Sequence, residues 1–296
     1  MSLLNTFRFL TRHPLTADHP WQALGRFIRW QLGSRLVTGP VAVNFVDHAR
    51  LLVRPGMAGA TGNIYAGLHE FEDMAFLLHL LRPDDLFVDV GANVGSYTVL
   101  AGGVMGARCL SIEPIPDTFQ SLSDNIRLNG LEARVQAMNL GVGREPGVLN
   151  FSTALDCMNH VVDPSEHDVP TMPVEVRTLD SLLGDRQPTL IKIDVEGYEV
   201  EVLEGASKAL ENPGLLALIV EIADASKRYG HQMNDTLSML ERAGFRQYRY
   251  RPFDRQLDSL PGSPNPGGNS LWIRDETIVG ERLSTASEHL VQGKRI

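Results

Sequence analysis

The segment Asp89-Val90-Gly91-Ala92-Asn93-Val94-Gly95 constrains the fold more than any other part of the chain. It follows the apolar run Leu86-Phe87-Val88 and precedes Ser96-Tyr97-Thr98-Val99-Leu100-Ala101, which reads as a helix start. A strand that delivers a carboxylate into a glycine turn, with a helix behind it, is how an open α/β sheet builds a nucleotide-sized pocket at its C-terminal edge. Glycines let backbone and ligand approach where a Cβ would collide. The spacing bears on the ligand. A dinucleotide fingerprint reads G-x-G-x-x-G and seats a pyrophosphate on the helix N-terminus. Here the pattern is Gly91-x-x-x-Gly95, with Asn93 where the middle glycine should be. An acid just ahead of the turn suits a cationic ligand end, such as the amino group of a methionine moiety, better than a pyrophosphate. The same residues also suit a glycine turn that merely closes a βαβ unit.

Around this motif strands and helices alternate. Strands are expected at 86–90, 108–113, 133–138, 190–194 and 215–221, with helices at 97–105, 116–128, 198–210 and 234–243 between or after them. Added strands at 147–153 and 174–178 flank a loop at 154–173, and 245–250 with 270–273 suits a closing hairpin. Repeated strand–helix units imply a mostly parallel sheet with helices on both faces, and the hairpin supplies an antiparallel edge. Upstream, 1–36 is helical in parts, 41–53 holds one or two strands turning at Asp47-His48, 55–67 reads as a glycine-rich loop, and 70–81 as a helix.

Composition narrows the class. Of 296 residues, 43% are apolar and 21% charged, which is ordinary for a globular chain with a full core. No apolar run approaches the ~20 residues of a membrane span, and Met1 opens no signal-peptide pattern. Two cysteines, Cys109 and Cys157, are too few for a disulfide framework and suit a reducing, cytoplasmic compartment. A net charge of −9 argues against a nucleic-acid partner. That charge is uneven: six arginines against Asp18 and Asp47 give residues 1–50 a charge of +4, leaving −13 on the rest. A basic arm on an acidic body suggests a partner for the arm, either a membrane surface or a second copy meeting residues 1–36. A helix packed on its own domain is the alternative.

Three groups of residues carry chemistry. Glu113 ends the second core strand, 24 positions after Asp89. An acid there takes both ribose hydroxyls in nucleoside-binding sheets, NAD enzymes included. Asn139, after the third strand, could offer its amide to an adenine ring or serve an ordinary turn. In Ile191-Lys192-Ile193-Asp194-Val195-Glu196-Gly197-Tyr198-Glu199, strand alternation puts Lys192 and Asp194 on one face. Burying Lys192 demands a carboxylate partner, Asp194 or Glu221. Asp194, Glu196 and Glu221 then suit general-base work, hydroxyl binding or an oxygen-ligated divalent metal. A buried ion-pair network that only positions the loop would use the same residues. Glu199, Glu201 and Glu204 read as a solvated helix face. His160 would become a candidate base if its loop folds over the pocket.

Together the motifs resemble the FkbM-type family of S-adenosylmethionine-dependent methyltransferases. The resemblance lies in Phe87-Val-Asp-Val-Gly-Ala-Asn-Val-Gly95, in Glu113-Pro114-x-Pro116 with a helix ending at Asn129-Gly130, and in Leu190-Ile-Lys-Ile-Asp-Val-Glu-Gly-Tyr-Glu199 leading to Leu203-Glu-Gly-Ala206. It implies a Rossmann-like class I methyltransferase fold, α/β, with a mostly parallel seven-stranded sheet over residues 61–275. A basic extension (1–60) and a tail (276–296) flank it. It further implies that Asp89, Gly91, Ala92, Asn93 and Gly95 line the methionine side of S-adenosylmethionine, that Glu113 holds the ribose, and that Asp194 sits on the substrate side. The acceptor would be a hydroxyl of a sugar, glycan or natural product. Its proton would go to Asp194 or His160, or be acidified by a metal on Asp194, Glu196 or Glu221. An NAD-type oxidoreductase and a non-catalytic nucleoside-binding module are the rivals.

Overall fold

The computed structural model of the chain describes residues 3–153, 158–163, 166, 169–222, 224–260 and 268–296. Cys157 and parts of the loops at 154–173 and 261–268 lie outside the described residues. The arm forms α1 (Leu3–Arg12), α2 (Pro20–Gly33) and a hairpin of β1 (Val41–Asn44) and β2 (Arg50–Val53), followed by α3 (Ala58–Ala66) and α4 (Phe71–Leu80). The alternating body begins with β3 (Leu86–Val90), α5 (Ser96–Val99) continued by a π-helical turn (Leu100–Val104), β4 (Arg108–Ile112), α6 (Pro116–Leu128) and β5 (Val135–Met138). Three short strands, β6 (Gly141–Val142), β7 (Gly147–Ser152) and β8 (Thr171–Arg177), make a separate sheet in the order β6-β8-β7. Next come α7 (Leu179–Leu183), β9 (Leu190–Ile193), α8 (Glu199–Glu204), α9 (Ser207–Glu211), β10 (Ala217–Glu221), a 3₁₀ turn (Asp224–Tyr229) and α10 (Met233–Arg242). The chain closes with β11 (Arg246–Arg251), β12 (Gln256–Ser259), β13 (Asn269–Ile273), α11 (Glu276–Ser284) and a small hairpin of β14 (Leu290–Val291) and β15 (Lys294–Arg295).

The main sheet runs β12-β11-β13-β10-β9-β3-β4-β5. Five strands from β10 to β5 are parallel, and β13 enters antiparallel between β10 and β11. Seven strands carry the Rossmann-like pattern. An eighth, β12, folds back on β11 at the edge. Side chains alternate between two cores, as the two-residue period of a strand requires. Phe87, Leu190 and Ile219 join one, while Val88, Ile191 and Leu218 join the other. From β3 the chain moves first to β4 and β5 on one side and later to β9 and β10 on the other. The crevice beyond the tips of β3 and β9 is therefore the topological switch point, where open α/β sheets bind ligands.

Several elements differ from the sequence expectation. The stretch read as a glycine-rich loop is α3, ended by Gly67 at φ 95°. Packing overrides weak propensity there: a Cβ on Gly62 would come within 2.0 Å of His69 Nδ1. The single helix expected over 198–210 breaks into α8 and α9 at Gly205, where a Cβ would meet the Gly143 carbonyl oxygen at 2.1 Å. The arm is not a free appendage, because Leu10, Ala23 and Trp30 are buried in the same cluster as Phe87 and Leu190.

Candidate active site

At the switch point lies a cleft of about 310 Å³, within the size range of small-molecule sites. The turn after β3 forms its floor. Gly91 (φ 79°), Asn93 (φ 51°) and Gly95 (φ 87°) all take left-handed backbone. The backbone beside this turn already demands glycine at 91, since a Cβ there would lie 1.9 Å from the Asp194 carbonyl oxygen. Asn93 tolerates αL as short polar residues do, and its Oδ1 accepts the Val94 N–H at 2.7 Å. Its own N–H donates to Glu113 Oε2 at 2.9 Å, while the Ile115 N–H donates to Oε1 at 3.0 Å. These two bonds fix the Glu113 carboxylate at the tip of β4, each oxygen keeping a lone pair for a further donor. Burial still dominates and pushes Glu113 up to about 7.

Strand register explains the polar row beneath the cleft. Asp89 pairs across the sheet with Ser111 on one side and Lys192 on the other. Thr98, reaching down from α5, donates to Asp89 Oδ2 at 2.7 Å and lies 2.7 Å from Ser111 Oγ. Asp89 is therefore a buried member of an internal network that also lines the cleft. Lys192 donates to Asp194 Oδ2 at 2.6 Å and stands 4.8 Å from the Tyr97 ring centroid. Burial opposes its charge, but Asp194, Glu70 and Asp89 outweigh that and hold its pKa above the ordinary lysine value.

Asp194 leads to a turn in which Glu196 adopts φ 54° and Gly197 φ 106°. Oxygens of Asp194, Glu196 and Glu221 gather within 4.8 Å of one another, the one potential metal-ligating group of this kind among the described residues. All three donors are carboxylate oxygens, which suits a hard divalent cation. Crowding has a second outlet in protonation. Burial, then the neighbouring Asp194 and Glu196, push Glu221 up to about 9, and burial with Asp194 pushes Glu196 up to about 6. Glu221 Oε2 is buried with no donor in reach. As a neutral acid it can instead donate to Asp194.

Two expected site residues are placed elsewhere. His160 does not line the cleft: its Nδ1 lies 2.9 Å from the Met158 carbonyl oxygen and its Nε2 3.0 Å from Glu166. Both nitrogens are engaged within its own loop. The Asn139 amide donates to the carbonyls of Glu113 and Pro114, at 2.9 Å each, and fastens the β4 tip instead of facing a purine. Glu199 and Glu201 are not a solvated face either. Glu199 Oε1 accepts the Gly197 N–H at 3.0 Å, holding the loop that carries Glu196, and Glu201 meets His231 at 2.9 Å. The fold also adds residues that strand and loop patterns gave no reason to place here. Glu70, at the start of α4, accepts the Tyr97 hydroxyl at 2.7 Å, and both line the cleft together with His69. The signal for Tyr97 was its place in the glycine motif; Glu70 had none.

Comparison with known proteins decides what this cleft belongs to. The family model described as the methyltransferase FkbM domain matches residues 89–247, which holds the glycine turn, Glu113 and the Asp194 loop. The chain belongs to the FkbM methyltransferase family. Its scaffold is thus that of an S-adenosylmethionine-dependent methyltransferase, and the NAD-type alternative falls. Hexuronic acid methyltransferase AglP of Haloferax volcanii is 30% identical over 159 residues, 52% of this chain and 62% of AglP. The chain thus spans less than two thirds of that relative. Methyltransferase 1 of Beauveria bassiana is 28% identical over 197 residues, 57% of this chain and 76% of the relative. Among solved structures, precorrin-6y C5,15-methyltransferase from Geobacter metallireducens superposes with a TM-score of 0.41 at 14% identity, over 70% of this chain and 89% of that one.

Proposed function

We propose that this FkbM-family chain transfers the methyl group of S-adenosylmethionine to a hydroxyl of a sugar, glycan or natural-product acceptor. The observation that carries it is that one cleft is lined both by the glycine turn with the Glu113 carboxylate and by Asp194, Glu196 and Glu221. The similarity to a hexuronic acid methyltransferase supports a carbohydrate acceptor. The residues fit the cofactor: an oriented carboxylate for a ribose diol, a turn without bulk, and an excess of buried acid for a cationic group. When bound, S-adenosylmethionine supplies a methyl group on a sulfonium, so the protein's share is alignment and proton handling.

Asp194 is held by Lys192 on Oδ2, a charge-assisted bond that fixes its rotamer and makes it a firm acceptor for a substrate O–H. Glu196, at about 6, is the carboxylate whose proton affinity matches uptake near neutral pH. Asp194 therefore positions the hydroxyl and Glu196 receives its proton. The decisive experiment compares Asp194→Ala with wild type, using titration calorimetry with S-adenosylhomocysteine and a methyl-transfer assay over a panel of glycosides and polyols. Turnover is expected to fall at least about a thousandfold with S-adenosylhomocysteine affinity kept. Unchanged turnover would overturn the assignment. Binding with no transfer by the wild type would leave a nucleoside-binding module.

A further inference from the structure

We propose that the outward face of α2 docks this protein on an anionic lipid bilayer. The helix is apolar on two opposite sides. Its inner side buries Ala23 and Trp30 and packs Phe27 on the main core, and Arg26 on that side is engaged by the Tyr65 carbonyl at 2.7 Å. At 100° per residue the opposite side gathers Trp21, Ile28 and Leu32 in one stripe. Trp21 is 75% exposed and Leu32 64%, and the turn that follows continues the surface with Leu36 at 85%. Arg29 borders the stripe, and Arg35 follows in the next turn. Both are exposed, and neither has a carboxylate partner among the described residues. No Asp or Glu occurs anywhere from residue 19 to residue 46, in a chain of net charge −9.

Apolar side chains in water beside unpaired arginines need a surface that is apolar within and negative at its rim. A second copy of this chain meets the first need and not the second, because a two-fold contact through α2 would bring together two copies of the same acid-free face and supply no carboxylate to Arg29 or Arg35. A bilayer with acidic headgroups meets both. Its acyl boundary takes Ile28 and Leu32, its interface suits Trp21, and its phosphates face the guanidinium groups. At about 21 Å for 14 residues the helix lies in the interface plane, and no helix among the described residues is long and apolar enough to cross a membrane.

The test uses the full chain with phosphatidylcholine vesicles, with and without phosphatidylglycerol, in a sedimentation assay at low and high salt. The variants are W21S/I28S/L32S and R29E/R35E, all at exposed positions, with circular-dichroism melts to verify folding. Wild type is expected to bind the anionic vesicles, to release them at high salt, and to bind at least about tenfold more weakly in either variant. The proposal fails if wild type ignores anionic vesicles or if both folded variants bind as wild type does. A wild-type dimer in analytical ultracentrifugation, lost in the triple variant without any vesicle binding, would assign the face to a second copy instead.

Discussion

Glu221 carries a buried carboxyl oxygen with no donor, next to two other acids, and its pKa of about 9 leaves it protonated at neutral pH. Glutamine imitates that neutral acid, keeping an N–H where the O–H stood. Because Lys192 already supplies a countercharge to Asp194, Glu221→Gln is expected to retain methyl transfer within about threefold at pH 7, with or without a chelator. Loss of activity together with loss of Mn²⁺ binding would show that the three carboxylates hold a metal. Stability gives an independent check. An acid raised in the folded state favours folding below its unfolded value and weakens it as pH climbs from about 4.5 to about 9. The advantage of the glutamine variant in urea melts should therefore grow across that window. Glu196, at about 6, sets the acid limb of the rate profile, so Glu196→Gln should lower kcat by about a hundredfold and erase that limb. A limb that persists near pH 6 would place the proton elsewhere. These residues were legible because Asp89, Glu113, Asp194 and Glu221 all lie within one residue of a strand's C-terminal end, and those ends share one edge. His160 misled because a loop residue's direction depends on partners such as Glu166 that no periodicity encodes.

Elements were read well where one pattern dominated and poorly where packing set the terms. Strands β3, β4, β9 and β10 are mostly apolar, broken by the polar residues Asp89, Ser111, Lys192 and Glu221 near the cleft, and a buried parallel sheet needs such apolar runs. α3 carries glycines at 59 and 62 that discourage a helix in isolation, yet close contact with His69 requires the one at 62. α8 looked solvated because Glu199 and Glu201 alternate along it, while their partners, the Gly197 N–H and His231, come from the loop just ahead of it and from the approach to α10. The junction of α1 with the body is another long-range arrangement. Just past α1, His13 Nε2 lies 2.7 Å from the Leu68 carbonyl oxygen, and its Nδ1 accepts the Leu15 N–H at 3.2 Å. The second bond needs a neutral ring, because a protonated Nδ1 cannot accept. Burial lowers its pKa from 6.5 to about 4. The sign follows: the unfolded chain takes up the proton first, so this stabilisation is complete above about 6.5 and is lost as pH falls toward 4. His13→Asn should cost about 1 kcal/mol at pH 7 for the lost Leu68 bond, and its melting temperature should fall less than that of wild type between pH 7 and pH 4.5. An equal fall in both would exclude His13 from the acid response.

At the scale of the molecule, one hydrophobic cluster joins the arm, the body and the last residue. Leu10 and Trp30 from the arm, Leu190 from the sheet, and Val291 and Ile296 from the terminal hairpin are all buried in it. Sequence composition separated a basic arm from an acidic body, but charge describes surfaces, and the shared interior is what determines whether parts unfold together. The terminal hairpin fastens this arrangement at the β1–β2 turn. Asp47 there adopts φ 50°, with Oδ2 2.8 Å from His289 Nδ1 and Oδ1 accepting the Leu290 N–H at 2.9 Å. Lys294 also reaches Asp18, but that carboxylate is exposed and the pair is worth little. Removing residues 289–296 would take two buried aliphatic side chains from the core at about 1.5–3 kcal/mol each and leave Asp47 without its donors. None of these residues lines the cleft. Calorimetry of the truncated chain should therefore show one transition, lowered by roughly 5 °C or more, with S-adenosylhomocysteine affinity unchanged. Asp47→Gly, which suits the left-handed turn and deletes only the two hydrogen bonds, should lower the same single transition by a smaller amount. Two separate transitions in either variant would mean that arm and body are independent units joined by contact alone.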